Sequence, residues 1–252
     1  MAGVTLGVIT IGFFLPPIPQ PQAYHNFADQ RTILGIPHCL DVISNAGFLV
    51  VGALGLVFLF CQTRSQDRSQ FVNPVERWPY AVFFLGVAAT SLGSAYYHLA
   101  PTNDRLMWDR LPMTLAFMSI VAAAFAERVS VRTGLRMLLP LVAVGASSVV
   151  YWQWSENQGA GDLRPYIFVQ LYPMLAVPLL VLLFPPRYTH TSDLLAAFGF
   201  YAAAKIFELL DNPIFALTGI VSGHTLKHLA AAVCAYWILR MLRHRVPVAE
   251  KL

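Results

Sequence analysis

Residues 41–62 read DVISNAGFLVVGALGLVFLFCQ, an apolar run near the ~20 residues that a helix needs to cross a bilayer. Six more runs of this kind follow, at 78–99, 106–126, 134–152, 165–184, 192–211 and 223–242. Alternating strands cannot satisfy runs this long and continuous, whereas helices satisfy their own backbone within lipid. The expected fold is therefore all-α: a polytopic transmembrane bundle with a seven-helix core over residues 41–243. Residues 3–16 are also apolar and end at Pro16-Pro17-Ile18-Pro19. Because Met1-Ala2-Gly3-Val4 lacks the basic n-region of a cleavable signal, a retained N-terminal span over 1–17 is expected, making eight helices. Residues 18–40 form a polar segment carrying His25, Asp29, Arg31 and His38, and residues 244–252 form a tail. Pro112, Pro140, Pro173 and Pro178 fall inside runs, where they predict kinks rather than ends. No internal repeat or heptad seam is visible, so the chain reads as one membrane domain.

Composition agrees with this reading. A chain of 252 residues with 57% hydrophobic and 12% charged residues and a mean hydropathy of +0.58 is too apolar for a soluble globule. The net charge of +4 and pI near 9.1 do not imply a nucleic-acid partner, since basic loops are what membrane orientation alone requires. Cys39, Cys61 and Cys234 form no CxxC and no even framework, so neither a disulfide scaffold nor a thiolate metal site is indicated. Arg64, Arg68, Arg77, Arg128, Arg132, Arg136, Arg187, Arg240, Arg243, Arg245 and Lys251 lie on the side of the C-terminus, against Arg31, Arg105 and Arg164 opposite. This bias places the C-terminus in the cytoplasm.

The string Ser222-Gly223-His224-Thr225-Leu226-Lys227-His228 opens the last run. At i and i+4 on a helix, His224 and His228 share one face. Ionisable groups at membrane depth are costly and usually mark a site, and His is the commonest metal ligand. On spacing alone the pair reads equally as satisfied interior histidines or as metal ligands. The run at 78–99 ends in Ser94-Ala95-Tyr96-Tyr97-His98, and Asp109 follows in the first turn of the next run. His98 leaves one helix and His224 enters another with four spans between them, so both lie at one face. Three histidines and a carboxylate thus meet at one depth.

The strings SAYYH, then Asp109 followed by RLPM, then SGHTLKH resemble the signature of the alkaline ceramidase family. Its wider superfamily of seven-helix membrane hydrolases includes the adiponectin receptors. The resemblance covers residues 38–243. It implies a zinc held by His98, His224 and His228, with Ser94 and Asp109 beside it and ceramide or a related lipid amide as substrate. Three protein ligands leave zinc's fourth tetrahedral position open, as catalytic sites do. Asp109 then suits the general base and proton donor, and Ser94 a donor to the oxyanion. Taken without the resemblance, the Ser94 hydroxyl equally suits a bond to its own i−4 carbonyl. The chain departs from eukaryotic members at their acidic calcium cluster: residues 25–41 hold only Asp29 and Asp41, too few for a cation that takes six to eight oxygens. The segment before the core is expected to cap the zinc site.

Other polar residues have structural readings. Lys205 and Glu208 suit an ion pair, Asp211 a partner for a metal-bound histidine's second N–H, and Lys227 sits between the two box histidines. His25, His38, His190 and His244 are expected to be solvated. Tyr151, Trp152 and Trp154 suit an interfacial belt. Two other functions stay open: a lipid receptor or sensor with the same zinc site and little turnover, and a haem protein with axial histidines.

Overall fold

Helix forms over all seven core runs in the computed structural model, which describes residues 14–61 and 70–248 together with Gly3, Gly7, Thr10 and Gly12. The helices are α1 (Cys39–Cys61, interrupted at Asn45), α2 (Arg77–Leu99), α3 (Asn103–Arg128), α4 (Val131–Asn157) and α5 (Arg164–Leu183). They continue with α6 (Thr191–Leu209), α7 (Asp211–Thr218) and α8 (Gly223–His244). No strand occurs among the described residues. Nine of the 17 residues of the expected N-terminal span over 1–17 fall outside the described residues, as do residues 249–252 of the tail and Arg64 and Arg68.

Helices α1 to α5 are long and apolar enough to cross a membrane, as a multi-pass membrane protein requires. Their outer faces carry exposed Leu49, Val57, Leu85, Leu92, Leu139 and Leu182, a surface suited to lipid rather than water. Helices α6 and α8 carry charged residues along their length, and several of these are paired. Arg240 donates to Asp193 at 2.5 Å, and Glu208 accepts from both Lys205 and Lys227. The expected Lys205–Glu208 pair is thus present and has a third member. The short α7 was not foreseen: the run at 192–211 ends as helix at Leu209, and Asp211 opens a separate helix.

Helix α3 packs on α2, α4 and α5, while α8 packs on α6 and α1. Pro112, Pro140, Pro173 and Pro178 lie inside unbroken helices. At the C-terminal end, Arg245 is buried against Phe71, Tyr80 and Tyr188 and ion-paired with Glu127, tying the tail to the ends of α2 and α3. At the other end, residues 18–38 lie across the helix termini. The carbonyl of Ile18 accepts from Leu163 N–H, the Gln20 N–H donates to Glu156, the Ala28 N–H donates to Asp211, and Arg31 donates to the carbonyls of Gly219 and Ile220. The segment is a fastened lid. Arg31 grips both oxygens of Asp29, and these hydrogen bonds hold the Asp29 carboxyl below the usual carboxylate value. A depressed carboxylate stabilises above its unfolded pKa and loses that contribution as pH falls through the lowered value. Hydrogen exchange of residues 26–38 is therefore expected to stay slow at neutral and mildly acidic pH, and to accelerate in Arg31→Ala at any pH while the helix cores are unchanged.

One close approach sets the distance between α2 and α3. A Cβ on Gly93 would stand 2.0 Å from the Trp108 carbonyl oxygen and 3.3 Å from the Asp109 nitrogen, against backbone that cannot move aside. Gly199, by contrast, has open space around it. Gly93→Ala is expected to lower stability by about 1–3 kcal/mol through overpacking, whereas Gly199→Ala leaves it unchanged or raised; thermal unfolding of the two variants in detergent compares them.

Candidate metal centre

Two carboxylates define where α8 begins. The Asp211 carboxylate accepts from the His224 N–H at 2.7 Å, at the end of the helix where the first N–H groups have no partner within it. Gly223 lets this happen: a Cβ there would lie 2.3 Å from the Phe207 carbonyl oxygen and 2.7 Å from the Asp211 Cα. Ser222 caps the helix by accepting from the Thr225 N–H at 2.9 Å. Asp41 of α1 accepts from the hydroxyls of Ser222 (3.0 Å) and Thr225 (2.6 Å). With its start pinned on both sides, α8 presents His224 and His228 one turn apart toward the bundle interior.

His98, at the last turn of α2, meets them there. The Nε2 atoms of His98 and His224 are 3.2 Å apart, and the His228 ring centroid is 5.0 Å from that of His98. One ring nitrogen from each of the three lies within 4.8 Å of the others, all three residues are buried, and the group can hold a metal ion. Two nitrogens ~2.0–2.1 Å from a tetrahedral zinc stand roughly 3.3 Å apart, close to the separation found. Three neutral imidazoles with one open side fit zinc better than calcium or magnesium, which favour oxygen. The Ser44 hydroxyl donates to the Asp41 carbonyl at 3.0 Å and lies 2.8 Å from His228 Nδ1, which it can accept from. That bond leaves His228 Nε2 as the ligand atom. Phe27 of the lid covers the group, with ring centroids 4.6 Å from His98 and 4.5 Å from His224.

Asp109 sits one turn and a half into α3, and both it and Ser94 of α2 are buried. Both residues line a chamber that also touches His228, Arg110, Tyr24, Lys205, Glu208 and Lys227. This polar chamber shares Phe48, Thr90, Met113, Tyr201 and Ala231 with an apolar one between α2, α3, α5, α6 and α8. The two adjoin, with His228 and Asp109 on the polar side and hydrocarbon beyond.

The structure thus brings together all five residues singled out from the sequence: Ser94, His98, Asp109, His224 and His228. Other expectations need correction. Asp211 bonds main-chain N–H groups of His224 and Ala28 rather than a histidine ring, because the helix start offers it orphan donors. His25 and His38 are part-buried and held by hydrogen bonds within the protein. His25 lies 2.9 Å from both the Tyr97 hydroxyl and Asn103 Oδ1, and His38 Nδ1 lies 2.8 Å from the Asp29 carbonyl, because the lid folds back onto the helix ends. His190 is part-buried beside Asp193, while His244 is exposed. Trp152 is not interfacial: it is fully buried and donates to Glu156, whereas Tyr151 and Trp154 are exposed as a belt requires. Ser44, Asp41, Arg110 and Phe27 were missed as site residues. Only Asp41 and Arg110, charges beside or inside apolar runs, left a signal that could have flagged them.

No protein-family model matches the chain, and no curated protein sequence matches it. The metal centre is therefore judged on its own geometry. Ser44→Ala is expected to weaken zinc affinity 10- to 100-fold by releasing His228, and His224→Ala to abolish stoichiometric binding; equilibrium competition with a chromogenic chelator measures both.

Proposed function

We propose that the protein is a zinc-dependent membrane amidohydrolase that cleaves the amide of ceramide or a related lipid amide. One observation carries the reading: His228 of a buried three-histidine group and the buried carboxylate of Asp109 line a polar chamber that adjoins a hydrocarbon one. An amphiphile with an amide between its acyl chain and its polar half matches that arrangement. The family resemblance of the motifs points the same way.

His98, His224 and His228 would hold the zinc, which supplies Lewis-acid polarisation of a carbonyl and acidifies water to a pKa near 7. The chain's own residues do the rest. Asp109 takes a proton from water as its oxygen bonds to the acyl carbon. It then passes that proton to the amide nitrogen as the C–N bond breaks, so that water and the amide become a fatty acid and an amine. Ser94 is assigned as a donor to the acyl oxygen as charge builds there. Phe27 shuts out water from the lid side, which strengthens these interactions. The centre lies at the end of the bundle away from the C-terminus, which this reading assigns to the non-cytoplasmic face. It also counts α6 and α8 as membrane helices, their charges paired within the bundle.

Asp109→Asn is expected to lower kcat for lipid-amide hydrolysis by 10²- to 10⁴-fold while zinc content stays stoichiometric. Chelation should abolish turnover in the wild type and added zinc restore it. Turnover that survives either change rules the reading out, and tight substrate binding without turnover favours a sensor.

A further inference from the structure

Arg110 has no role in the chemistry above, yet it is 5% exposed and lines the same polar chamber as Asp109. Its guanidinium lies against three aromatic rings, 4.3 Å from the centroid of Trp152, 4.7 Å from Tyr166 and 5.6 Å from Tyr24. Nη2 donates to the neutral side-chain amide of Gln20 at 2.7 Å. Among the described residues, Nη1 has no hydrogen-bond partner. Glu156, the carboxylate next along this network, already accepts from the Gln20 N–H and the Trp152 indole.

The charges facing the chamber are Asp109 and Glu208 against Arg110, Lys205 and Lys227. These groups carry one more positive charge than negative; both lysines bond Glu208, whereas Arg110 has no carboxylate among its hydrogen-bond partners. A buried cation with no carboxylate bonded to it is costly, and stacking on aromatic faces offsets only part of that cost. The planar guanidinium, already immobilised by its cage, is suited to an oxyanion, which it can meet with charge-assisted hydrogen bonds.

We infer that the lipid amide taken by this site carries an acidic group, a carboxylate or a phosphate, on its amine half, and that Arg110 receives it. The placement follows from the chamber. The acyl chain belongs in the apolar part, lined by Phe83, Val87, Phe117 and Ile238, whereas Arg110 lines the polar part alone. The word "amide" rests on the hydrolase reading above; recognition of the acid by Arg110 does not.

The test is equilibrium binding to the metal-free full chain in nanodiscs, so that no turnover is needed. N-oleoylglycine and N-oleoylethanolamine share acyl chain and amide and differ in a carboxylate against a hydroxyl. The wild type is expected to bind the acid roughly tenfold or more tightly, the range of a hydrogen bond to a charged group. That ratio should fall toward one in Arg110→Met and be kept in part in Arg110→Lys. An N-acylsphingosine and its phosphate ester, run in parallel, decide between carboxylate and phosphate. Equal binding of every matched pair by the wild type overturns the inference, and so does a preference that survives Arg110→Met. Oleate is the third arm: if its binding needs Arg110 as much as that of N-oleoylglycine does, Arg110 holds the acyl carboxylate and the assignment to the amine half is wrong. Should both variants fail to fold, the wild-type ratio decides. Absence of amide cleavage by the zinc-loaded protein would remove the hydrolase reading and leave this binding result standing; a ratio of one would do the reverse.

Discussion

The fastening of the first turn of α8 is the constraint on which the centre depends. Asp211 takes the His224 N–H, and Asp41 takes the hydroxyls of Ser222 and Thr225. Neither carboxylate touches a histidine ring, yet together they fix the height and rotation of the helix that carries two of the three. Rotating α8 by the ~100° that separates neighbouring residues would replace His228 with Lys227 or Leu229 at the same level and disperse the group. The two acids come from different helices, so the geometry of the trio is set by the assembly of α1, α7 and α8 and not by α8 alone.

The same logic accounts for the unusual polarity of the interior. Polar groups away from water must find partners within the protein. Around the histidines many do so in linked sets: Asp41 with Ser222 and Thr225, Ser44 with His228, and Glu208 with Lys205, Lys227 and Tyr24; among the described residues His98 Nδ1 and Asp41 Oδ2 have none. The lid completes the arrangement from outside by laying Phe27 on two of the rings and anchoring itself on Asp211, which thereby serves the helix start and the lid at once. Loosening the lid and loosening α8 are therefore coupled through one carboxylate.

Much of this was legible in the sequence because it is periodic or local. Because a long apolar run leaves the chain little alternative to helix, the apolar runs predicted the five helices apolar enough to span a membrane, and α6 and α8 as helix, but not the short α7. The even number of runs between His98 and His224 put them at one end before any coordinates existed. What escaped were contacts between residues far apart in the chain that carry no spacing signal. Ser44 is 184 residues from His228, and a serine in an apolar run reads as nothing in particular. His25 and His38 looked solvated because their segment is polar; that it folds back onto Tyr97, Asn103 and Asp29 is a property of the lid as a whole. Trp152 sat where an interfacial belt would be, and only the burial of Arg110 beside it shows why an indole is needed there.

Asp109 and Arg110, adjacent on α3, show how one short stretch can serve both halves of a site. On a helix neighbouring side chains diverge by ~100°, so Asp109 lines the chamber beside Ser94 and His228 while Arg110 turns to Trp152 on α4 and Tyr166 on α5. The contact at Gly93 holds the α3 backbone against α2 beside the first of these. The aromatic faces of α4 and α5 hold the second in place from the other side. Helix α3 thereby carries both the carboxyl and the guanidinium that line the chamber, and any displacement of it moves the two together. A rigid spacing between those two groups is what a site needs if it is to place one bond of an amphiphile by gripping its polar end.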